Sequence, residues 1–209
     1  MRTQTKEIQE NLTPKSAHEI LVKGNERFAE NLKAQRNLID QVFATSKGQY
    51  PFAVILSCID SRVPAELVFD QGIGDIFSVR VAGNVVNEDV LGSMEYACKV
   101  AGSKIVVVMG HTKCGAVTAA CNNVELGNIT PLLNKIKPAV NAVSEPLDVS
   151  LRNSSNLEFV DTVAEKNVQL TIDRIHRESP ILSEMEKNGE ILIIGAMYDI
   201  NNGEVSFFE

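Results

Sequence analysis

The chain has 209 residues, of which 44% are hydrophobic and 22% are charged, and its formal net charge is −7. This balance is typical of a globular domain, and the negative charge argues against general affinity for nucleic acid or anionic membranes. No stretch approaches the roughly 18–20 apolar residues of a membrane span, and the first twenty residues lack the apolar core of a signal peptide. We therefore expect a single domain over residues 1–209 in a cytoplasmic protein, with neither nucleic acid nor membrane as a partner.

The N-terminal segment predicts a helical arm over residues 1–34. Residues 1–15 are polar, and Ser16 and Glu19 have the spacing of a capping box. Apolar residues then recur at helical intervals. The pattern predicts an amphipathic helix over 17–34 with Ser16 as its N-cap.

Four short apolar runs predict buried strands. They lack the in-out alternation of a half-exposed sheet, which favours a parallel sheet covered on both faces. Helical patterns separate the runs, and an Asn-Gly turn near the end of the chain predicts a hairpin with a last edge strand. This alternation predicts one α/β domain. The four runs are 52–57, 76–81, 104–109 and 191–194.

Two strand ends carry side chains that can bind a metal or handle a proton. Cys58, Asp60 and Arg62 follow the first run, and His111 and Cys114 follow the third. In open α/β sheets, sites form at the carboxyl ends of strands, so both groups belong on one edge. If the two strands are neighbours, two thiolates and one imidazole converge, and this donor set suits Zn²⁺. Three protein ligands would leave a fourth position for water, as in catalytic zinc sites.

The charges of this site bear on its pH range. Two thiolates cancel the charge of Zn²⁺, so a water on it should lose a proton at a higher pH than the value near 7 of three-histidine sites. Asp60 has two possible positions: it could fill the fourth place on the metal, or pair with Arg62 and accept a hydrogen bond from a zinc-bound hydroxide. A bidentate guanidinium offers the carboxylate a full positive charge, so we expect the open site at neutral and alkaline pH.

The remaining cysteines and histidines predict no second site. Cys98 and Cys121 lie on apolar helix faces and are expected to be buried as small hydrophobic residues. His18 and His176 are expected at the surface. A thiol phosphatase loop is excluded, because it needs five residues between its cysteine and arginine, whereas three separate Cys58 from the arginine here.

The two motifs CIDSR, 58–62, and HTKC, 111–114, resemble the paired zinc motifs of the β-class carbonic anhydrases. The resemblance implies the reversible hydration of carbon dioxide to bicarbonate and a proton by a zinc-bound hydroxide. It implies that Cys58, His111 and Cys114 bind Zn²⁺ and that Asp60 and Arg62 form the catalytic pair. Further similar stretches are 61–84, 93–97, 107–117 and the closing GAMYDINNGEVSFF.

The same resemblance implies a fold, an assembly and a substrate pocket. The fold is a mostly parallel central sheet with an antiparallel edge strand and helices on both faces. The assembly is a homodimer or homotetramer in which the N-terminal helix reaches the partner. The pocket for carbon dioxide and bicarbonate would include Gln49, Phe77, Ala82 and Tyr96, with Ala82 at a position where valine is common. Ile55 stands where another group of the family carries a tryptophan of an inhibitory bicarbonate pocket.

Two alternatives stay open at this point. The same scaffold could hydrolyse carbon disulfide or carbonyl sulfide. A non-catalytic zinc module with a structural or redox role is a third reading, against which the presence of both Asp60 and Arg62 argues, because a structural site favours a fourth permanent ligand.

Overall fold

The computed structural model describes residues 3–208, which form one five-stranded sheet and ten helices. The strand order is β2-β1-β3-β4-β5, in which the first four strands are parallel and β5 pairs antiparallel with β4. The predicted α/β fold with a mostly parallel sheet and an antiparallel edge strand is confirmed. The strands are β1 (Ala53–Ser57), β2 (Ile76–Arg80), β3 (Ile105–His111), β4 (Leu192–Tyr198) and β5 (Val205–Phe207).

Helices cover both faces of the sheet, and none within residues 3–208 has the length and apolarity needed to cross a membrane. A π-helical turn, Tyr96–Val100, continues the fifth helix, and a short turn, Ala82–Asn84, follows β2. The helices are α1 (Lys6–Glu10), α2 (Pro14–Ala29), α3 (Leu38–Thr45), α4 (Ala65–Val68), α5 (Glu88–Glu95), α6 (Gly115–Cys121), α7 (Ile129–Leu133), α8 (Lys137–Ala142), α9 (Leu157–Glu178) and α10 (Pro180–Lys187).

The central strands β1 and β3 are buried along their whole length. Val54 and Leu56 face a core that includes residues of α5, α6 and α9, whereas Ala53 and Ile55 face a second core with residues of α2 and α4. Each fully buried aliphatic side chain contributes on the order of 1.5–3 kcal/mol. Burial on both faces explains why these strands show no alternation, and it fixes the strand ends that carry the site.

The second helix begins earlier than the sequence pattern predicts. Thr13, not Ser16, is the N-cap, and Pro14 takes the first helical position, which suits its fixed φ. Thr13 Oγ1 accepts from the Ser16 backbone N–H at 3.1 Å, and Ser16 Oγ accepts from the Thr13 N–H at 2.9 Å. The predicted box was therefore wrong in its register, because a serine takes the place of the usual Glu or Gln. The helix also ends at Ala29 rather than at residue 34.

The apolar stripe of α2 packs on its own chain. Ala17 and Leu21 are fully buried in the core beneath β1 and β3. At Gly24 the backbones are so close that a Cβ would lie 1.9 Å from the carbonyl oxygen of Phe69. Asn25 Nδ2 donates to the carbonyl of Val68 at 3.1 Å. The buried stripe of α2 is therefore covered within its own chain.

A group of exposed apolar side chains lies on the next helix, α3. Four large apolar side chains of α3 are exposed, among them Phe43 with 72% of its surface accessible. We call Leu38, Ile39, Val42 and Phe43 the α3 apolar surface.

An ion cluster anchors the segment between α2 and α3. Arg27 Nε donates to Asp70 Oδ2 at 2.6 Å, and Arg36 Nη1 donates to Asp70 Oδ1 at 2.5 Å. The Ala34 N–H donates to the same carboxylate at 3.2 Å. Burial works to raise the pKa of Asp70, but the hydrogen bonds from Arg36, Arg27 and Ala34 outweigh it and lower the pKa. The carboxylate thus stays ionised and holds the segment against the chain just beyond α4, where Asp70 is the second residue after the helix.

Candidate metal centre

The carboxyl ends of β1 and β3 bring three ligand residues together. The two strands are direct neighbours, and Ser57 pairs with Met109 just before the site. The sulfur atoms of Cys58 and Cys114 lie 3.9 Å apart. With a nitrogen of His111 they form a buried group whose ligand atoms all lie within 4.8 Å of one another. We call Cys58, His111 and Cys114 the ligand cluster.

The ring of His111 has one nitrogen committed and one available. Nδ1 lies 2.9 Å from the carbonyl oxygen of Thr112. Because a carbonyl can only accept, Nδ1 carries the proton and Nε2 presents its lone pair. The ring is fully buried, and within residues 3–208 Nε2 has no hydrogen-bond partner. Buried polar atoms are normally satisfied, so this nitrogen fits a metal ligand.

The two thiols titrate as a pair. The hydrogen bond with Cys114 lowers the pKa of Cys58 against the effect of burial, and His111 and the Gly83 N–H lower it further. The neighbouring Cys58 sulfur and burial raise the pKa of Cys114. One thiolate therefore forms readily, and the second needs a cation close by. Two thiolates and one imidazole in a buried site fit Zn²⁺.

Asp60 is paired with Arg62 beside this cluster. Arg62 Nε donates to Oδ1 at 2.9 Å and Nη2 donates to Oδ2 at 2.7 Å, so the pair is bidentate. The Arg62 backbone N–H adds a third bond, to Oδ1 at 2.9 Å. These bonds hold the pKa of Asp60 well below its usual range. Asp60 Oδ2 lies 4.0 Å from His111 Nε2, so an ionised acceptor stands next to the place for a metal.

Arg80, the last residue of β2, holds the loop that carries Cys58 and Asp60. Its Nε donates to the carbonyl of Cys58 at 3.0 Å and its Nη2 donates to the carbonyl of Asp60 at 2.6 Å. The sequence analysis missed this residue. A signal was present, because an arginine ends the strand that lies beside β1.

The second ligand loop is anchored from two other elements. Lys113 has a left-handed backbone, with φ of 54°, and its N–H donates to Asp161 of α9 at 2.7 Å. Thr112 Oγ1 donates to Asp199 Oδ1 at 3.2 Å and accepts from the Ile200 N–H at 3.1 Å. The turn from His111 to Cys114 is therefore fixed by contacts far apart in sequence, which spacing alone does not reveal.

The four expected pocket residues divide into two places. Ala82 immediately precedes Gly83, whose N–H contacts Cys58 Sγ, and so lies near the ligand cluster. Gln49, Phe77 and Tyr96, which we call the edge trio, lie elsewhere. Phe77 pairs with Val54, four residues before Cys58, which places it about 13 Å away along the strands at ~3.3 Å per residue.

The edge trio forms a group of its own beside the open strand β2. The rings of Phe77 and Tyr96 meet at 6.4 Å and 70°, and Gln49 and Tyr96 line one shallow groove. Within residues 3–208 neither that groove nor the adjoining one along Phe77 is lined by the ligand cluster. In a single chain the trio therefore does not wall the metal site.

The other cysteines and histidines behave as structural groups. Cys98 and Cys121 are buried as expected, and burial raises the pKa of Cys98 to about 12 and that of Cys121 to about 11. His18 is half-buried, and its ring packs against Phe207 with the ring centroids 4.5 Å apart. His176 is partly exposed and its Nε2 lies 2.6 Å from Glu186 Oε2.

The chain is similar to known proteins over most of its length. The family model described as carbonic anhydrase matches residues 53–205. "Carbonic anhydrase 2" of Mycobacterium tuberculosis is 37% identical over 194 residues, which cover 92% of each chain. A carbonic anhydrase of Mycolicibacterium smegmatis is 33% identical over 93% of each chain.

Solved structures agree with the sequence relatives. A β-carbonic anhydrase of Aspergillus fumigatus superposes with a TM-score of 0.70 at 30% identity, covering 82% of this chain and 81% of that one. A tetrameric β-carbonic anhydrase from Sordaria macrospora superposes at 0.71 with 22% identity, over 92% of this chain and 97% of that one, which shows the shared fold. By its sequence, its fold and the cysteines and histidine at its sheet edge, this chain belongs to the carbonic anhydrase family and is a β-class carbonic anhydrase.

Proposed function

We propose that the protein reversibly hydrates carbon dioxide to bicarbonate and a proton, with Zn²⁺ held by the ligand cluster and with Asp60 and Arg62 as the catalytic pair. One observation carries the proposal. Two buried sulfurs lie with an imidazole nitrogen, His111 Nε2, that has no hydrogen-bond partner within residues 3–208. That nitrogen is 4.0 Å from Oδ2 of Asp60, a carboxylate that Arg62 holds ionised. When bound, Zn²⁺ supplies a water of lowered pKa as the nucleophile.

The chain's own residues supply orientation and proton handling. His111 is fixed by its Nδ1–H to the Thr112 carbonyl, so Nε2 is aimed into the site. Ionised Asp60 can only accept hydrogen bonds, so it would accept one from the nucleophile and would direct a lone pair of that oxygen towards carbon dioxide. Arg62 donates to both carboxylate oxygens of Asp60, which would keep Asp60 from coordinating a bound metal. This pairing supports an open fourth position and argues against a purely structural zinc module.

We also propose that the protein is a homodimer or homotetramer and that the edge trio acts across a subunit interface. The trio lies too far from the ligand cluster of its own chain, and Tyr96 is 54% exposed. The strand beside it, β2, forms an open edge of the sheet. The α3 apolar surface adds a second uncovered region, of a kind that marks protein interfaces. Association would place the trio of one chain at the metal site of another.

The test is a stopped-flow assay of carbon dioxide hydration on protein whose zinc content has been measured. We expect about one zinc per chain and activity that is lost on chelation and restored by Zn²⁺. Parallel assays with carbon disulfide and carbonyl sulfide address the alternative substrates. Metal-loaded protein that hydrates no carbon dioxide would overturn the proposal, and hydrolysis of a sulfur compound by that same protein would replace it.

A further inference from the structure

The turn that follows β2 touches the first ligand of the cluster. The N–H of Gly83 donates to Cys58 Sγ with an N···S distance of 3.4 Å. Gly83 has a φ of 68°, in the left-handed region that glycine adopts without strain. The next residue, Asn84, is also left-handed, with a φ of 42°. This backbone path brings a main-chain N–H against a buried sulfur.

The other side of the same turn is held by α9. Asn167 Nδ2 donates to the carbonyl oxygen of Gly83 at 2.8 Å. Asn167 is only 2% exposed and lies mid-helix among buried apolar residues such as Val163 and Val168. An amide at such a position costs desolvation unless its hydrogen bonds are made, so its presence indicates a specific partner. That partner is the turn that contacts Cys58.

We propose that Asn167 is a positioning residue for the metal centre: by fixing the Gly83 turn, it holds the backbone N–H against Cys58 Sγ. The inference rests on the zinc ligation proposed above. A hydrogen bond to a thiolate fixes the direction of the sulfur and draws electron density from it. Outer partners of this kind commonly change metal affinity about 10–100-fold when they are removed.

A simpler role for Asn167 is to satisfy a buried carbonyl, which would affect folding stability alone. The two roles differ in what they do to the metal–thiolate bond. A stabilising role leaves the zinc affinity of the folded protein and the spectrum of its metal–thiolate bond unchanged. A positioning role alters both, and a control variant that loses the same stability at another residue does not.

The experiment compares Asn167→Asp and Asn167→Leu, which keep the branch at Cγ but have no amide donor, with a control on the same helix. Ile175 is fully buried and lies eight residues along α9, about 12 Å away at ~1.5 Å per residue. Either Ile175→Val or Ile175→Ala is chosen to match the melting temperature of the Asn167 variants. The readouts are competition of the zinc-loaded proteins with a chelator, and the thiolate-to-metal charge-transfer band of the Co²⁺-substituted proteins.

We expect both Asn167 variants to bind zinc about 10–100-fold more weakly and to shift the band to lower energy, because an unbonded thiolate is easier to oxidise. The matched Ile175 variant should keep the wild-type affinity and band. If the Asn167 variants also keep them, Asn167 only packs and the inference is wrong. If wild-type protein binds neither zinc nor Co²⁺, the proposed metal site fails instead.

Should both variants fail to fold, Asn167→Ser replaces the amide with a smaller polar group. The wild-type protein also allows an independent measurement, by NMR. With ¹¹³Cd in place of zinc, a hydrogen bond to sulfur transmits a scalar coupling from the metal to the amide proton. We expect that coupling at the Gly83 amide. Its absence from a fully loaded wild-type protein would contradict the contact on which the inference depends.

Discussion

The ligand cluster and the edge trio were both predicted from the sequence. They differ in whether a single chain is enough to form the site to which each belongs. The cluster is assembled within a single chain, because β1 and β3 are adjacent and their carboxyl ends coincide. The trio is also assembled within the chain, but near the amino ends of β1 and β2 and beside an open edge. The comparison separates metal binding, which one chain can provide, from the substrate pocket, which we propose needs two.

Loss of one ligand should have the largest effect. Cys58→Ser should abolish both zinc binding and carbon dioxide hydration, because two ligands hold zinc far more weakly than three. The loss should exceed the about 100-fold that removal of an outer partner produces. Cys98→Ala is the matched control, since Cys98 is equally buried but lies outside the cluster. Elemental analysis and the stopped-flow assay measure both effects, and full zinc occupancy in Cys58→Ser would remove that residue from the site.

Loss of the arginine should separate metal binding from catalysis. Arg62→Ala should keep zinc but lower activity about 100-fold, at the low end for a proton-handling group, because Asp60 is freed to move onto the metal. Asp60→Asn should also be poorly active, since the amide changes the hydrogen bonding at this position. Arg177→Ala removes an exposed arginine at the far end of α9 and should leave activity unchanged. Wild-type turnover in metal-loaded Arg62→Ala would show that the pair has no catalytic role.

A charged residue on the α3 apolar surface tests whether the substrate pocket needs two chains. Phe43→Glu should reduce the mass measured by light scattering towards that of a monomer, and activity should fall with it while zinc is retained. Leu147→Glu, at a residue with similar exposure elsewhere on the chain, is the control and should keep the assembly. A wild-type protein that is monomeric at micromolar concentration and fully active would contradict the proposed role of the edge trio.

The smallest effect on activity is expected from a change in the ion cluster around Asp70, which anchors the segment between α2 and α3. Asp70→Asn should lower the free energy of unfolding by about 3–5 kcal/mol, because it leaves two arginines without their buried carboxylate. The lowered pKa of Asp70 gives a contribution that is fully present above its unfolded value near 3.9 and is lost as the pH falls through the folded value. Denaturant unfolding at pH 7 and below pH 4 checks this. The exposed Glu10→Gln should change stability by less than about 0.5 kcal/mol, and an equally small change in Asp70→Asn would show that the cluster is not stabilising.

Local patterns predicted the parts of the molecule that depend on local chemistry. The buried strands follow from runs without alternation, and the gathering of Cys58 with His111 follows from the rule that sites form at carboxyl ends of strands. The start of α2 was misplaced by one turn, because Thr13 and Ser16 cap each other without the usual acidic residue.

Contacts that depend on tertiary placement could not be predicted. Nothing in the sequence indicates that Asn167 meets Gly83, or that Arg80 reaches two carbonyls of the neighbouring loop. The distance of Phe77 from the ligand cluster could have been predicted, because Phe77 is the second residue of the run 76–81 whereas Cys58 follows the carboxyl end of its own run. The positions of Gln49 and Tyr96 depend instead on tertiary contacts. The sequence likewise does not indicate that the apolar stripe of α2 packs on the sheet of its own chain.

A crystal structure of the zinc-loaded protein at pH 8 tests the account most directly. It should show one zinc per chain bound by Cys58, His111 and Cys114, with Asp60 on Arg62 and with the edge trio of a neighbouring chain beside the metal. Asp60 bound to zinc at that pH would contradict the open site. An edge trio that faces solvent in the assembled protein would contradict the claim that the substrate pocket is formed by two chains.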